Sequence, residues 1–238
     1  MNRPPNGFLL SLSHGDFELL RAHLRTVPLP LAKMLFDVGG RVEYLYFPHS
    51  GAISFVVVLA DGGMVEAAIV GYDSVAGTPA ALDDAVSLNR AIVQCEGIAS
   101  VIDMPHAQAA VAASRTLRKT FYLHDQILMA QAQQSAACNA KHEIDARLSR
   151  WLLRMRDVTQ NDTLCLTQEF ISIMLGVRRT SVTLAARQLQ ASKIIKYRRG
   201  QIQILDVSRL EGSACECHEA LKLQAARLLG PPQVRSAL

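Results

Sequence analysis

Apolar and polar positions change texture three times along the 238 residues. Near the start, Ser13 stands as a cap before SHGDFELLRAHL, where Phe17, Leu19, Leu20 and Leu24 follow at helical spacing. Pro28 and Pro30 end that helix and begin an extended region. From Met34 to Met104 the apolar runs become short and are separated by turn residues. AISFVVVLADGGMVEAAIV, with Asp61, Gly62 and Gly63 at its centre, carries the strongest hairpin signal in the chain. Runs of this kind at near-regular spacing predict a compact antiparallel barrel or double sheet.

Pro105 opens a helical stretch predicted from about His106 to Asn139. Leu117, Phe121, His124, Leu128, Gln131 and Ser135 form a near-heptad seam along it. One barrel cannot cover so long an apolar helix, so the simplest expectation is pairing with a second copy about a twofold axis. The competing reading is a helix buried within its own domain. A second helix, HEIDARLSRWLLRMRD, gathers Ile144, Leu148, Trp151, Leu152 and Met155 on one side, which makes the sole tryptophan a core residue. Its arginines, Arg147, Arg150, Arg154 and Arg156, lie elsewhere on it.

The run LTQEFISIMLGVRRTSVTLAARQLQAS, from Leu166, predicts two short helices joined by a tight turn. Thr167 is the N-cap of the first, with Glu169 in its first turn and Phe170, Ile171, Met174 and Leu175 on one face. Gly176 stops it. The second begins at Arg178 or Arg179 and packs through Val182, Ala185, Ala186 and Leu189. Its other face presents Arg179, Thr180, Thr183 and Arg187, the Arg and small polar residues suited to phosphates and base edges in a major groove. IIKYRRGQIQIL then gives two strands about Arg199 and Gly200, a wing that carries Lys196, Arg198 and Arg199 toward phosphate. A last helix runs through Leu221 and Leu228 to Pro231 and Pro232.

Composition fits a folded soluble chain, at 50% hydrophobic and 19% charged residues. No apolar run reaches the length of a membrane span and the first residues lack a signal-peptide pattern, so a cytoplasmic location is expected. Charge is unevenly placed: residues 141–205 hold 12 Lys+Arg and 5 Asp+Glu, whereas residues 1–140 hold 9 and 12. A basic segment of net +7 suits phosphate binding. The five scattered cysteines read as reduced thiols. Cys215, Cys217 and His218 crowd together in CECH, yet zinc motifs separate their cysteines by two or more residues and need a second ligand pair that the sequence does not display. Helix packing or redox sensitivity is therefore preferred there, and no metal or cofactor is expected.

Barrel, long helix, basic helix, helix-turn-helix and wing, in this order, resemble the Crp/Fnr superfamily of bacterial transcription regulators from about Phe17 to Leu210. Gly176, Arg179, Ser181 and Val182 fall on the family pattern. The resemblance implies an α+β chain: a double-stranded β-helix or jelly-roll-like sensor barrel over residues 1–105, a dimerisation helix over 106–140, and a winged helix-turn-helix with an extension over 141–238. It also implies a homodimer on an inverted-repeat operator in double-stranded DNA, RNA polymerase as a further partner, and no membrane. Arg179 would contact a guanine edge, Ser181 a phosphate, and Thr183 would lie near the groove. Leu184 departs from the family, which often has a second base-reading Arg there.

The sensor site departs further. Cyclic-nucleotide binders of the family carry a Gly-Glu pair and then Arg-Ser-Ala, because ribose hydroxyls need a carboxylate and the cyclic phosphate a guanidinium. Here Gly71 is kept, Tyr72, Asp73 and Ser74 follow, and Asn89, Arg90 and Ala91 stand at the Arg-Ser-Ala positions, with Arg90 one place out of register. A one-residue slip in a strand turns the side chain to the other face. Ala132 and Gln133 replace the Thr and Ser that hold the base. The expected effector pocket is thus Gly71, Tyr72, Asp73, Ser74, Asn89 and Arg90, for an effector that is not cyclic AMP. An iron–sulfur sensor would need N-terminal cysteines, and the first here is Cys95; His49, His106 and His124 read as ordinary histidines rather than haem ligands. The alternative function is a small-molecule or protein-interaction module with a vestigial winged helix, against which the exposed arginines argue. No glycine-rich phosphate loop, nucleophile elbow or paired-carboxylate motif points to an enzyme.

Overall fold

The computed structural model describes residues 3–83, 86–198 and 200–229. The chain opens with two helices, α1 (Gly7–Ser11) and α2 (His14–Arg21), capped by Asn6 and Ser13. Only α2 is evident from apolar spacing. Asn6 fixes α1 in place: its side chain accepts from Leu9 N and donates to the carbonyls of Pro48 and Ser74, each at 2.9 Å. Buried Phe8 and Leu9 then enter the core.

Seven strands build the N-terminal sheet unit, the region expected from the sequence to be the sensor: β1 (Arg25–Leu29), β2 (Met34–Phe36), β3 (Tyr44–Pro48), β4 (Ala52–Val58), β5 (Met64–Val70), then helix α3 (Thr78–Asp83), β6 (Arg90–Cys95) and β7 (Gly97–Asp103). They form two antiparallel sheets, ordered β1-β7-β3 and β2-β6-β4-β5. The predicted hairpin is β4–β5, closed by the Leu59 N–H on the Gly63 carbonyl at 2.8 Å, with Gly62 at φ +83°. Strand β4 is apolar on both sides because both sides are covered. Ile53 and Phe55 face the core between the sheets, while Ala52 and Val56 join a second core made with the C-terminal helices.

The single helix expected from His106 is two: α4 (Met104–Ala113) and α5 (Arg115–Lys141). Ser114 separates them in extended backbone, closing α4 with its N–H and capping α5 with its hydroxyl. The Ser114 and Thr116 hydroxyls both reach Asp16 of α2, which sets a carboxylate beside the positive end of α5. The expected pairing seam also needs correction. Leu117, Phe121, His124, Leu128 and Gln131 turn into the chain's own core and Ser135 is half-buried, so this stripe packs against the sensor unit and not a second helix. Gln131 holds the free edge of β5 by accepting from the Ile69 N–H at 3.2 Å. Burial lowers the His124 pKa to about 4, and the neutral ring meets Ser74 Oγ at 3.2 Å.

The rest is α6 (Ile144–Thr159), β8 (Thr163–Cys165), α7 (Gln168–Leu175), α8 (Arg179–Ala191), β9 (Ile195–Arg198), β10 (Gln201–Ile204), α9 (Val207–Ser213) and α10 (Cys217–Leu229). Among the described residues no helix is long and apolar enough to cross a membrane. The predicted end of the last helix, at Pro231 and Pro232, lies outside the described residues. The last turn of α6 meets the residue after β5 so closely that a Cβ on Gly71 would stand 2.5 Å from the Val158 carbonyl oxygen. Gly71→Ala is expected to cost about 1–3 kcal/mol through overpacking and to lower Tm by several degrees; an unchanged melting curve would refute this close approach.

Candidate nucleic-acid interface

Helix α7 starts at Thr167, whose hydroxyl accepts from the Phe170 N–H at 3.1 Å, and ends at Gly176. Gly176 takes φ +61°, the left-handed conformation glycine adopts without a Cβ penalty, and its N–H closes on the Ile173 carbonyl. The turn sets α8 against α7, with Val182, Ala185, Ala186 and Leu189 buried between α8 and the elements beneath it. Arg178, Arg179, Thr180 and Arg187 are exposed, while Ser181 and Thr183 are half-buried. The Thr183 hydroxyl donates to Gln168 Oε1 at 2.7 Å, which fixes α8 to the start of α7. Leu184 is 60% exposed on the outer side of α8.

The wing is a three-stranded sheet ordered β8-β10-β9. Lys196 lies opposite Gln203 and Arg198 opposite Gln201, and these four exposed side chains share one face while Ile195, Ile202 and Ile204 point inward. Arg199 lies outside the described residues. The alternation QIQI is the signal by which Gln201 and Gln203 are legible as part of that face. The Gln190 side chain accepts from the Tyr197 N–H at 2.9 Å, tying wing to helix.

The basic segment divides in two. The α6 arginines are engaged within the chain: Arg147 donates to the Leu175 carbonyl at the end of α7, Arg150 is buried, Arg154 pairs with Asp73 at 2.8 Å, and Arg156 pairs at the surface with Asp162 at 2.6 Å. The exposed cations of the segment are Lys141 at the end of α5 and those of α8, the turn that follows it and the wing.

The six expected effector residues do not converge on one pocket. Gly71 and Asp73 belong to the contact with α6, Tyr72 accepts from the Gly7 N–H and donates its own to Val158, and Ser74 meets His124. Asn89 forms a local turn with Ser87, and Arg90 pairs with Asp37 at 2.7 Å, holding that carboxyl below the usual range. These residues stand away from a 480 Å³ cleft lined by Leu82, Arg115, Arg118, Lys119 and Tyr122.

Residues 146–212 match the family described as the Crp-like helix-turn-helix domain. Over most of its length the chain is similar in structure to FixK2 of Bradyrhizobium japonicum, with TM-score 0.68 and 16% identity over 81% of this chain and 98% of that one. A putative Crp/Fnr-family transcriptional regulator of Eubacterium rectale gives 0.66 and 17%, over 88% and 96%. A CRP-family transcriptional regulator of Thermus thermophilus gives 0.64 and 20%, over 80% and 99%. No curated protein sequence matches the chain. Fold and site thus define a DNA-binding regulator that carries a winged helix-turn-helix beside a two-sheet sensor unit. Residues 146–212 belong to the Crp-like helix-turn-helix domain family, and the chain as a whole has the fold of these Crp/Fnr-type regulators.

Besides Asp73, the contact between the sheet unit and the DNA-binding unit holds the carboxylate of Glu66 in β5. That carboxylate accepts from the Trp151 indole at 2.8 Å and from the Ser54 hydroxyl at 2.5 Å. Burial raises its pKa to about 7 despite those hydrogen bonds and the positive charge of Arg150 and Arg154. Between about 4.5 and 7 the folded chain holds a proton the unfolded chain has released, so stability is greatest at the acid end of that window and falls as pH rises through 7. Glu66→Gln is expected to flatten that fall when Tm is followed by calorimetry from about pH 5 to 8. A slope identical to that of the parent chain would overturn the assignment.

Proposed function

We propose that the chain acts as a homodimer on an inverted-repeat operator and works by binding rather than by catalysis. The observation that carries this reading is that the helix-turn-helix and wing present Arg178, Arg179, Arg187, Lys196 and Arg198 exposed, while the α6 arginines are buried or paired within the chain. Arg179 reads a guanine edge, Ser181 and the wing cations Lys196, Arg198 and Arg199 hold phosphate, and Thr167, Arg178, Thr180, Thr183 and Arg187 flank the groove. Leu184, exposed where the family often has an arginine, offers an apolar contact for a thymine methyl. Two copies would set their α8 helices about one helical turn, roughly 34 Å, apart. RNA polymerase is the partner through which a bound dimer would act, in the cytoplasm where its DNA lies.

The sensor unit is proposed to respond to something other than cyclic AMP. Arg90 is committed to Asp37 and Asp73 to Arg154, so neither is offered to a cyclic phosphate or a ribose. Micromolar binding of cyclic AMP in calorimetry would reject this.

The pairing surface is reassigned to the outward side of α5. Tyr122 and Met129 are 54% and 55% exposed there, and with Gln126, Gln133, Ala136 and Ala140 they repeat at alternating steps of four and three residues. The double substitution Tyr122→Glu and Met129→Glu is expected to halve the mass measured by light scattering, whereas the same change at Ala112 and Ala113 should not. A dimer that survives it sinks the surface.

Arg179→Ala is expected to weaken operator binding by about 1–3 kcal/mol, roughly 5- to 150-fold, and to relax preference at one base pair. Lys196→Ala should weaken binding to all sequences alike and reduce the salt slope by about one. Unchanged selectivity in Arg179→Ala, measured by titration of labelled operator against scrambled DNA, would reject the contact assignment.

A further inference from the structure

The matched domain ends at residue 212, and the chain beyond it doubles back. Cys215 and Cys217, on either side of the start of α10, come to rest against the last turn of α5. There Cys138 and His142 stand four residues apart, on one face of the helix end. The three Sγ atoms and one His142 ring nitrogen all lie within 4.8 Å of one another. Cys138 Sγ is 3.5 Å from Cys215 Sγ, and Cys217 Sγ is 3.6 Å from His142 Nδ1. Ligands about 2.0–2.3 Å from a tetrahedral zinc ion are separated by roughly 3.5–3.8 Å, so these edges have the size of a mononuclear site.

The surroundings fit as well. The far nitrogen of the ring, His142 Nε2, faces Glu216 Oε1 at 3.2 Å, the carboxylate–histidine arrangement that orients a metal-bound imidazole. Gln134 Nε2 points at Cys217 Sγ from 3.0 Å, as a donor would toward a thiolate. Arg150 is buried beside the group with its Nε lacking a hydrogen-bond partner. Three thiolates, a neutral imidazole and a divalent ion sum to −1, a charge that a buried guanidinium would balance. The chain supplies from α5 the second ligand pair that CECH lacks, and His218 is left out, pointing to Asp157 at 3.5 Å.

We propose that Cys138, His142, Cys215 and Cys217 form a Cys3His site for a single zinc-like divalent cation. Soft thiolates with one imidazole in a tetrahedral arrangement select zinc over the hard cations. A disulfide between Cys138 and Cys215 would use two of the four groups and leave Cys217, His142 and Glu216 without a role. Loading exchanges three thiol protons for the ion and releases them to solvent. The site would fasten α10 to the hinge where α5 passes into α6, so the C-terminal extension becomes a brace on the path from sensor to DNA-binding unit.

The test uses the full chain, purified without a tag under reducing conditions, stripped with a chelator and reloaded with zinc or cobalt(II). Expected are one metal per chain by elemental analysis and, with cobalt, the thiolate charge-transfer and tetrahedral d–d absorption bands. Cys217→Ser should lower affinity at least tenfold against a competing chelator. Cys165→Ser should bind like the parent, and His142→Cys should keep the metal with a shifted cobalt spectrum. Cobalt absorption of octahedral type in the parent chain, or equal affinity in Cys217→Ser and Cys165→Ser, would overturn the proposal. So would a chain that takes up no metal and holds a Cys138–Cys215 disulfide.

Discussion

The hairpin β4–β5 is buried on both sides, and most of the architecture depends on that. One face closes the sensor core with Ile53, Phe55, Ala68 and Val70; the other, through Ala52, Val56 and Ile69, belongs to the core of the DNA-binding unit. A sheet between two cores cannot alternate apolar with polar residues, hence AISFVVV is apolar but for Ser54, whose hydroxyl is taken up by Glu66. Polar groups caught between the units must be satisfied there. Glu66 takes the Trp151 indole and Asp73 takes Arg154, both across the same seam. The turn of the helix-turn-helix also rests on this hairpin, since a Cβ on Gly176 would meet the Val65 side chain at 3.1 Å.

The basic segment performs two jobs with one residue type. Arginines of α6 lock the seam and the end of α7, while those of α8 and β9 face outward. Net charge along the chain cannot separate these roles, because the difference lies in which helix face each guanidinium occupies and whether a carbonyl or carboxylate awaits it. The long and planar Arg head suits both uses, as it can fork onto a carboxylate or remain solvated.

Local rules carried the order of elements far. Ser13 and Thr167 are the caps their positions indicate, and Gly176 ends α7 as the pattern requires. The hairpin and wing stand where the turn residues put them. Where local rules failed, the missing information was tertiary. A heptad seam tells that a stripe is buried but not by what, and the stripe from Leu117 to Gln131 is covered by the chain's own sheet. The break at Ser114 had a local signal, a hydroxyl residue three places before Leu117, but the carboxylate that anchors it is Asp16, 98 residues away. The effector residues flank the end of β5 and the start of β6, and nothing in that placement tells that Gly71 and Asp73 are claimed by α6. The four groups around Cys138 come from places 77 residues apart, a distance no spacing motif spans.

The doubly covered hairpin also bears on how the molecule is made. A ribosome delivers the sensor strands first, and domains generally fold as they emerge. Here the outer face of β4–β5 must wait, bare and apolar, until α6 and α7 arrive from beyond the whole length of α5. During that interval the nascent chain displays an adhesive surface, so a truncated sensor unit would be the more aggregation-prone half, and the DNA-binding unit would act in cis as the chaperone of the sheet it covers.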